Sequence, residues 1–261
     1  MEAMHTIQTN GGIHLKGSLM KSEEISTNGM TYLLNEYDIK EGYEGNATFA
    51  MNPKAVNGQF MRVRSMMPFE YMDKMAKDFM WNVYGSKELD QGKKLANSFI
   101  VNFQQFREKG KGLYIFSNTR GSGKTLLACC LANEVTKRHV VNVKFISVLD
   151  YLDMTKKGYI SAADKEEKDA IMKSGILVLD DIGVELSKDW VNTNLYQLIN
   201  YRYSNRLITI FTSNVSIEEL KVDGRIKDRI HAMCLDVHMP EESIRIKMIQ
   251  QSDEEFMKSI M

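Results

Sequence analysis

Cysteine is scarce in this sequence. Cys129, Cys130 and Cys234 are the whole complement of 261 residues. Three thiols without zinc-type spacing exclude a cysteine-rich zinc module and a disulfide framework. They suit a reducing, cytosolic compartment. Net charge is missing too: 34 Lys and Arg against 34 Asp and Glu give +0. Composition therefore announces no non-specific hold on nucleic acid, and any such contact has to come from a local patch. No run approaches the roughly 18 apolar residues that read as a membrane span. The opening MEAMHTIQTNGG lacks the apolar core of a secretory leader, so none is expected.

What is present is unevenly distributed. Residues 1–66 are rich in Asn, Gly, Ser and Thr, carry scattered methionines and keep no sustained period. They predict a small, partly ordered N-terminal region. From Met67 the texture changes. An apolar period predicts one helix over Phe69–Val83 and another over Leu89–Glu108, with Leu95, Phe99, Val101, Phe103 and Phe106 facing inward. Strands are then expected at Leu113–Phe116, Val141–Ser147, Ile176–Asp180, Leu207–Thr212 and Cys234–Met239. Helices are expected between them, notably Lys124–Lys137 and Asp189–Asn205, with a closing helix over Glu241–Lys258. Continuous apolar strands alternating with helices predict an α/β fold with a parallel sheet covered on both faces.

One run carries explicit chemistry: Ser117-Asn118-Thr119-Arg120-Gly121-Ser122-Gly123-Lys124-Thr125-Leu126. It follows a strand and opens a helix, the setting that a P-loop requires. Gly121 and Gly123 let the backbone curl so that its N–H groups face phosphates, and the helix start adds partial positive charge. Lys124 is placed to reach the β- and γ-phosphates of ATP, and Thr125 to put its hydroxyl on Mg²⁺. Asn118 stands where G-x-x-x-x-G-K-[ST] has its first glycine; asparagine tolerates a left-handed backbone, so the turn is expected to survive.

Three further features narrow the class. Ile176-Leu177-Val178-Leu179 runs into Asp180 and Asp181. Asp180 is expected in the Mg²⁺ shell, and Asp181 on the attacking water. The fourth strand ends in Thr212-Ser213-Asn214, and Asn214 could hold that water from the other side. Arg225 and Arg229 sit four apart on one face of a short helix, and Arg245 opens the last helix. Each arginine could stabilise phosphoryl charge, although spacing alone leaves a solvated surface role open.

Taken together, Ser117–Thr125, Ile176–Gly183, Tyr201-Arg202-Tyr203 with Leu207–Asn214, and Gly224–Ile230 resemble the DnaC/DnaI and IstB group of AAA+ ATPases. That group comprises replicative helicase loaders and transposition helper ATPases. The resemblance covers residues 67–261 and implies a five-stranded parallel sheet with ATP at the strand C-termini and no full C-terminal lid domain. It implies Walker A at Lys124 and Thr125, Walker B at Asp180 and Asp181, and sensor 1 at Asn214. It also implies an arginine finger at Arg229, with Arg225 close behind, and a sensor 2 arginine at Arg245. A finger acting in trans implies ATP-dependent self-association.

Two readings follow from the resemblance. In the first, residues 1–66 grip a hexameric replicative DNA helicase while the ATPase module assembles and senses single-stranded DNA. Lys156, Lys157 and Tyr159 are the candidates for that DNA contact, and a solvated helix end is the alternative for the same cluster. In the second, the protein polymerises on DNA and recruits a transposase. A small-molecule kinase, the remaining class, needs an acceptor site and has no need of Thr212-Ser213-Asn214 together with Arg225 and Arg229.

Overall fold

A computed structural model describes residues 4–8, 14–27, 30–41, 45–51, 65–84, 89–139, 141–156, 162–183 and 189–260. The chain divides into two compact units, Met1–Gln59 and Phe60–Met261. The division falls ahead of the expected 66/67 boundary. Ser65 already belongs to the second unit, because its carbonyl accepts the Phe145 N–H at 2.6 Å.

The described residues of the first unit form strands. They make a four-stranded antiparallel meander of β1 (Met4–Gln8), β2 (His14–Thr27), β3 (Met30–Glu41) and β4 (Gly45–Met51), hydrogen-bonded in chain order. Tyr37 and Ile39 are buried, and Leu19 and Met20 are exposed. Strand β2 shifts register on both sides of Gly17 and Leu19. Gly17 is needed there, since a Cβ would stand 2.6 Å from the Asp38 carbonyl oxygen.

The second unit is a three-layer α/β/α structure. Its strands are β5 (Gly112–Phe116), β6 (Val143–Ser147), β7 (Ile176–Ile182), β8 (Ile208–Ser213) and β9 (Cys234–His238). They pair in the order β6-β7-β8-β5-β9, all parallel. Side chains alternate across each strand, and both faces are buried except along the edge strand β9, where Leu235, Asp236 and His238 are exposed. Leu113, Ile115, Ile176, Val178, Ile208 and Ile210 face one core with α1 (Leu89–Val101), α2 (Phe103–Lys109) and α3 (Lys124–Arg138). Tyr114, Leu177, Leu179 and Phe211 face the other. That second core packs α4 (Val148–Lys156), α5 (Ala162–Lys173), α6 (Asp189–Ser204) and α7 (Gly224–Met233). A last helix, α8, covers Arg245–Ile260.

Two expected helices are corrected. Phe69–Val83 forms three single 3₁₀ turns rather than one helix. The buried Asn133 of α3 captures the Tyr71 and Lys74 carbonyls at 2.9 Å each, and the Asp78 carboxylate takes the Met75 N–H at 2.8 Å. These partners hold backbone groups that a continuous helix would have paired internally. Leu89–Glu108 breaks at Asn102 (φ −105°, ψ 25°) and the second piece ends at the left-handed Gly110. Phe99 and Phe103 are buried, but Val101 is 71% exposed and does not face inward.

One buried cation ties the second core together. The Arg202 guanidinium, fully enclosed, donates to the carbonyls of Met172, Ser174 and Ile208 and to the Thr209 hydroxyl. Burial pulls it down to about 9. The acceptors at the end of α5 suit a cation, because unpaired carbonyls there carry partial negative charge. All three cysteines are free and buried, and burial raises Cys130 to about 12.

Candidate active site

Strand order brings the predicted residues together. β8 lies between β5, which leads into the P-loop, and β7, which ends in the two acids. The C-terminal residues of β8 therefore stand between loop and acids, at the end of the sheet where ligands of open α/β folds bind.

The loop is held from several sides. Gly121 and Gly123 have φ of 76° and 85°. A Cβ on Gly121 would meet the Ser243 hydroxyl at 2.7 Å, and one on Gly123 would meet the Tyr84 hydroxyl at 2.8 Å. Tyr84 also donates to the Ser122 carbonyl at 2.6 Å, and the Ile244 N–H donates to the Gly121 carbonyl at 2.9 Å. Asn118 corrects an expectation: it does not adopt a left-handed backbone, since among the described non-glycine residues only Met66, Asp181 and Arg206 do. Its N–H is instead taken by the Glu241 carboxylate at 2.9 Å.

Lys124 is 6% exposed. Its ammonium donates to the carbonyls of Ser117 and Thr119 and to the Ser122 hydroxyl, at 3.2, 3.0 and 3.3 Å. Burial lowers its proton affinity, and the carboxylates of Asp181, Glu241 and Asp180 oppose that shift. A buried cation held by three uncharged oxygens fits an anionic ligand. So do the N–H groups of Lys124, Thr125 and Leu126, which open α3 and have no partner within the helix. Intrahelical bonding begins with the Leu127 N–H, which donates to the Gly123 carbonyl at 2.9 Å. Thr119 and Arg120, at the outer bend of the loop, are more exposed than Ser122.

The acids are arranged differently from each other. Asp180 is buried and accepts at one oxygen from the Thr125 hydroxyl (2.9 Å) and the Thr212 hydroxyl (2.6 Å). Burial raises its pKa, and those two hydroxyls and Lys124 oppose the rise. Asp181 is half-buried with φ of 56°. A left-handed aspartate at the end of a strand is strained, and such strain gathers at functional sites. Its N–H donates to the Thr212 hydroxyl at 2.9 Å. Thr212 thus holds both acids, a role the sequence did not reveal, since Thr212-Ser213-Asn214 pointed to the amide. Asn214 is half-buried directly after β8. Thr125 and Asp180 together fit Mg²⁺, an ion that takes few protein ligands and keeps waters.

The arginines separate into two groups. Arg245 lies against the P-loop: its Cβ would be 3.1 Å from a Cβ on Gly121. Arg225 and Arg229 instead pack on α6. Arg225 lies over the Tyr196 ring at 4.8 Å and pairs with Asp223 at 3.0 Å. Arg229 lies over the Tyr203 ring at 4.6 Å and donates to the Asn200 amide oxygen at 3.1 Å. Lys156 is exposed at the end of α4; Lys157 and Tyr159 lie outside the described residues.

With this geometry in view, comparison with known proteins is decisive. Residues 60–252 match the family model of the IstB-like ATP binding protein. The chain belongs to the IstB-like ATP binding family. The replicative helicase loader DnaI of Bacillus subtilis is 32% identical over 114 residues, covering 43% of this chain and 36% of that protein. The replicative helicase loader DnaC of Escherichia coli (strain K12) is 30% identical over 121 residues, covering 45% and 49%. The IstB-like chain thus spans half or less of the length of these two relatives. A crystal structure of DnaI superposes with a TM-score of 0.59 at 26% identity, over 67% of this chain and 95% of that one. A crystal structure of the DnaC helicase loader gives 0.58 at 23% identity, over 66% and 100%, a likeness of fold. The fold is the AAA+ P-loop fold, with the expected five-stranded parallel sheet and flanking helices.

Proposed function

We propose that this IstB-like protein hydrolyses ATP between subunits of its own assembly and uses that cycle to load a replicative DNA helicase. The observation that carries the ATP reading is the buried Lys124 ammonium beside the Thr125–Asp180–Thr212 hydrogen-bond chain. Thr125 and Asp180 would hold Mg²⁺, which would supply positive charge against the phosphates. Residues Asn118 to Leu126 wrap the triphosphate, and Lys124 offsets its charge. Asp181 orients the attacking water and accepts its proton, with Asn214 holding the same water from β8. Arg245 reaches the γ-phosphate within the subunit. Arg229, with Arg225 beside it, is presented on α7 to a neighbour's site, where an added cation stabilises charge in the transition state.

The loader reading draws on the names of DnaI and DnaC, and it assigns the helicase grip to the meander of residues 1–59. Single-stranded DNA is the nucleic-acid partner, met by the segment after α4. The alternative is a transposition helper ATPase acting on DNA with a transposase. Light scattering after size exclusion, on the protein with its host's replicative helicase and ATP, separates the two. A joint complex supports the loader; ATP-dependent assembly on duplex DNA, with no helicase complex, makes it a transposition helper.

A further inference from the structure

The segment between β9 and α8 is fastened to the P-loop by the backbone, with the Met239 N–H on the Phe116 carbonyl at 2.8 Å, and by one carboxylate. Glu241 Oε1 accepts the Asn118 N–H at 2.9 Å, and Oε2 accepts the Thr119 N–H at 2.7 Å. The Ser117 hydroxyl lies 3.0 Å from Oε2 and 3.2 Å from the Pro240 carbonyl. His238 Nε2 is 3.0 Å from Oε1, and its ring stacks on Phe116 at 4.8 Å. Burial would raise the Glu241 carboxyl, but the hydrogen bonds from His238, Asn118, Thr119 and Ser117 outweigh it and bring it down to about 2. It is therefore a carboxylate at neutral pH.

These contacts spare the phosphate donors. Glu241 takes the N–H groups of Asn118 and Thr119, at the loop entry. The N–H groups that suit an anion are those of Lys124, Thr125 and Leu126, at the start of α3. Four residues beyond Glu241 comes Arg245, whose Cβ is packed beside Gly121. The Ile244 N–H fixes the stretch between them to the Gly121 carbonyl.

We propose that Glu241 is a positioning residue that sets Arg245 against the nucleotide by clamping the 238–245 segment onto Asn118 and Thr119. The proposal rests on the ATP-site reading above. It explains how the loop keeps its shape without the usual first glycine: the carboxylate satisfies the two N–H groups at that turn. It also makes the loop and the arginine move as one body.

The test is the affinity of the full chain for ATP and for ADP, by calorimetry, in Glu241→Gln, Arg245→Ala and the double variant. If Arg245 reads the γ-phosphate, Arg245→Ala weakens ATP and leaves ADP unchanged. Glu241→Gln is expected to do the same, by about tenfold, the scale of one lost charge-assisted hydrogen bond. The double variant is expected to lose no more than Arg245→Ala alone. Equal losses for ATP and ADP in Glu241→Gln, wild-type affinities, or losses that multiply in the double variant would each overturn the proposal. His238→Ala, which leaves both backbone contacts of Glu241, is expected to keep the ATP preference; its loss in that variant also counts against the clamp. Lys124→Ala separates the underlying reading, since normal binding of both nucleotides there removes the ATP site itself and not the clamp.

Discussion

The two units of this chain present opposite kinds of legibility. The Phe60–Met261 unit carries every residue of the candidate site, and the family match begins where it begins, at residue 60. The Met1–Gln59 unit carries none of those residues and lies outside the match. The physical difference is in the sheets. A strand such as Ile176–Ile182 is buried on both faces, so it reads as an unbroken apolar run up to two candidate acids. Strands such as His14–Thr27 lie in a small meander, mix lysine, serine and glutamate with leucine, and carry register shifts. An interrupted alternation of that kind has no clear period, so the sequence carries little strand signal there.

The first effect that would sharpen this contrast is expected from Lys124→Ala. Removing the buried ammonium should weaken ATP binding by about 100-fold or more, the scale of a lost charge-assisted contact in a dry site. Calorimetry on the full chain checks it, and near-normal affinity would move the nucleotide site away from the P-loop. Next is Arg229→Ala, expected to keep nucleotide binding by the isolated protein while lowering assembled turnover by about 10³-fold. Mixing it with Lys124→Ala subunits should restore part of the turnover through mixed sites; no defect at all would transfer the role to Arg225 or remove it.

Asp181→Asn should bind ATP normally and slow hydrolysis by roughly 10²–10⁴-fold, the range of general-base contributions. Loss of binding with normal residual turnover would reverse the division of labour between the acids. Thr212→Val tests the hydroxyl that holds both. It should slow turnover by about tenfold with little change in ATP affinity, as expected when the hydroxyl's two hydrogen bonds, together worth ~1–2 kcal/mol, position the acids. Thr212→Ser should recover most of the rate, and equal defects in the two variants would assign Thr212 to packing.

The smallest expected effect concerns acid stability. Glu241 is held down to about 2 from an ordinary 4.5. A depressed carboxyl stabilises the folded form fully above its unfolded value. That contribution is lost as pH falls from about 4.5 toward about 2. Thermal unfolding followed across that window should show a steeper decline in the natural protein than in Glu241→Gln; parallel curves would contradict the assignment.

Within the second unit, legibility stops where tertiary contact overrides local pattern. Five strands, Lys124, Thr125 and the Asp180–Asp181 pair stand at positions read directly from apolar runs and spacing. Phe69–Val83 was misread because Asn133, far along the chain, decides where its carbonyls go. Asn118 was read as a backbone substitute for glycine, whereas a side chain 123 residues later supplies the missing hold. Thr212 and Glu241 carry no spacing signal of their own. Their importance appears only when β8 and the β9–α8 segment are seen beside the loop.

In the proposed division of labour, residues 60–261 carry the nucleotide chemistry and residues 1–59 recognise the partner. Light scattering on the host's replicative helicase with ATP, comparing the full chain with one lacking residues 1–59, tests this most directly. The shortened chain is expected to bind ATP but form no helicase complex, whereas the full chain forms one. A complex of equal size and stability with the shortened chain would contradict it.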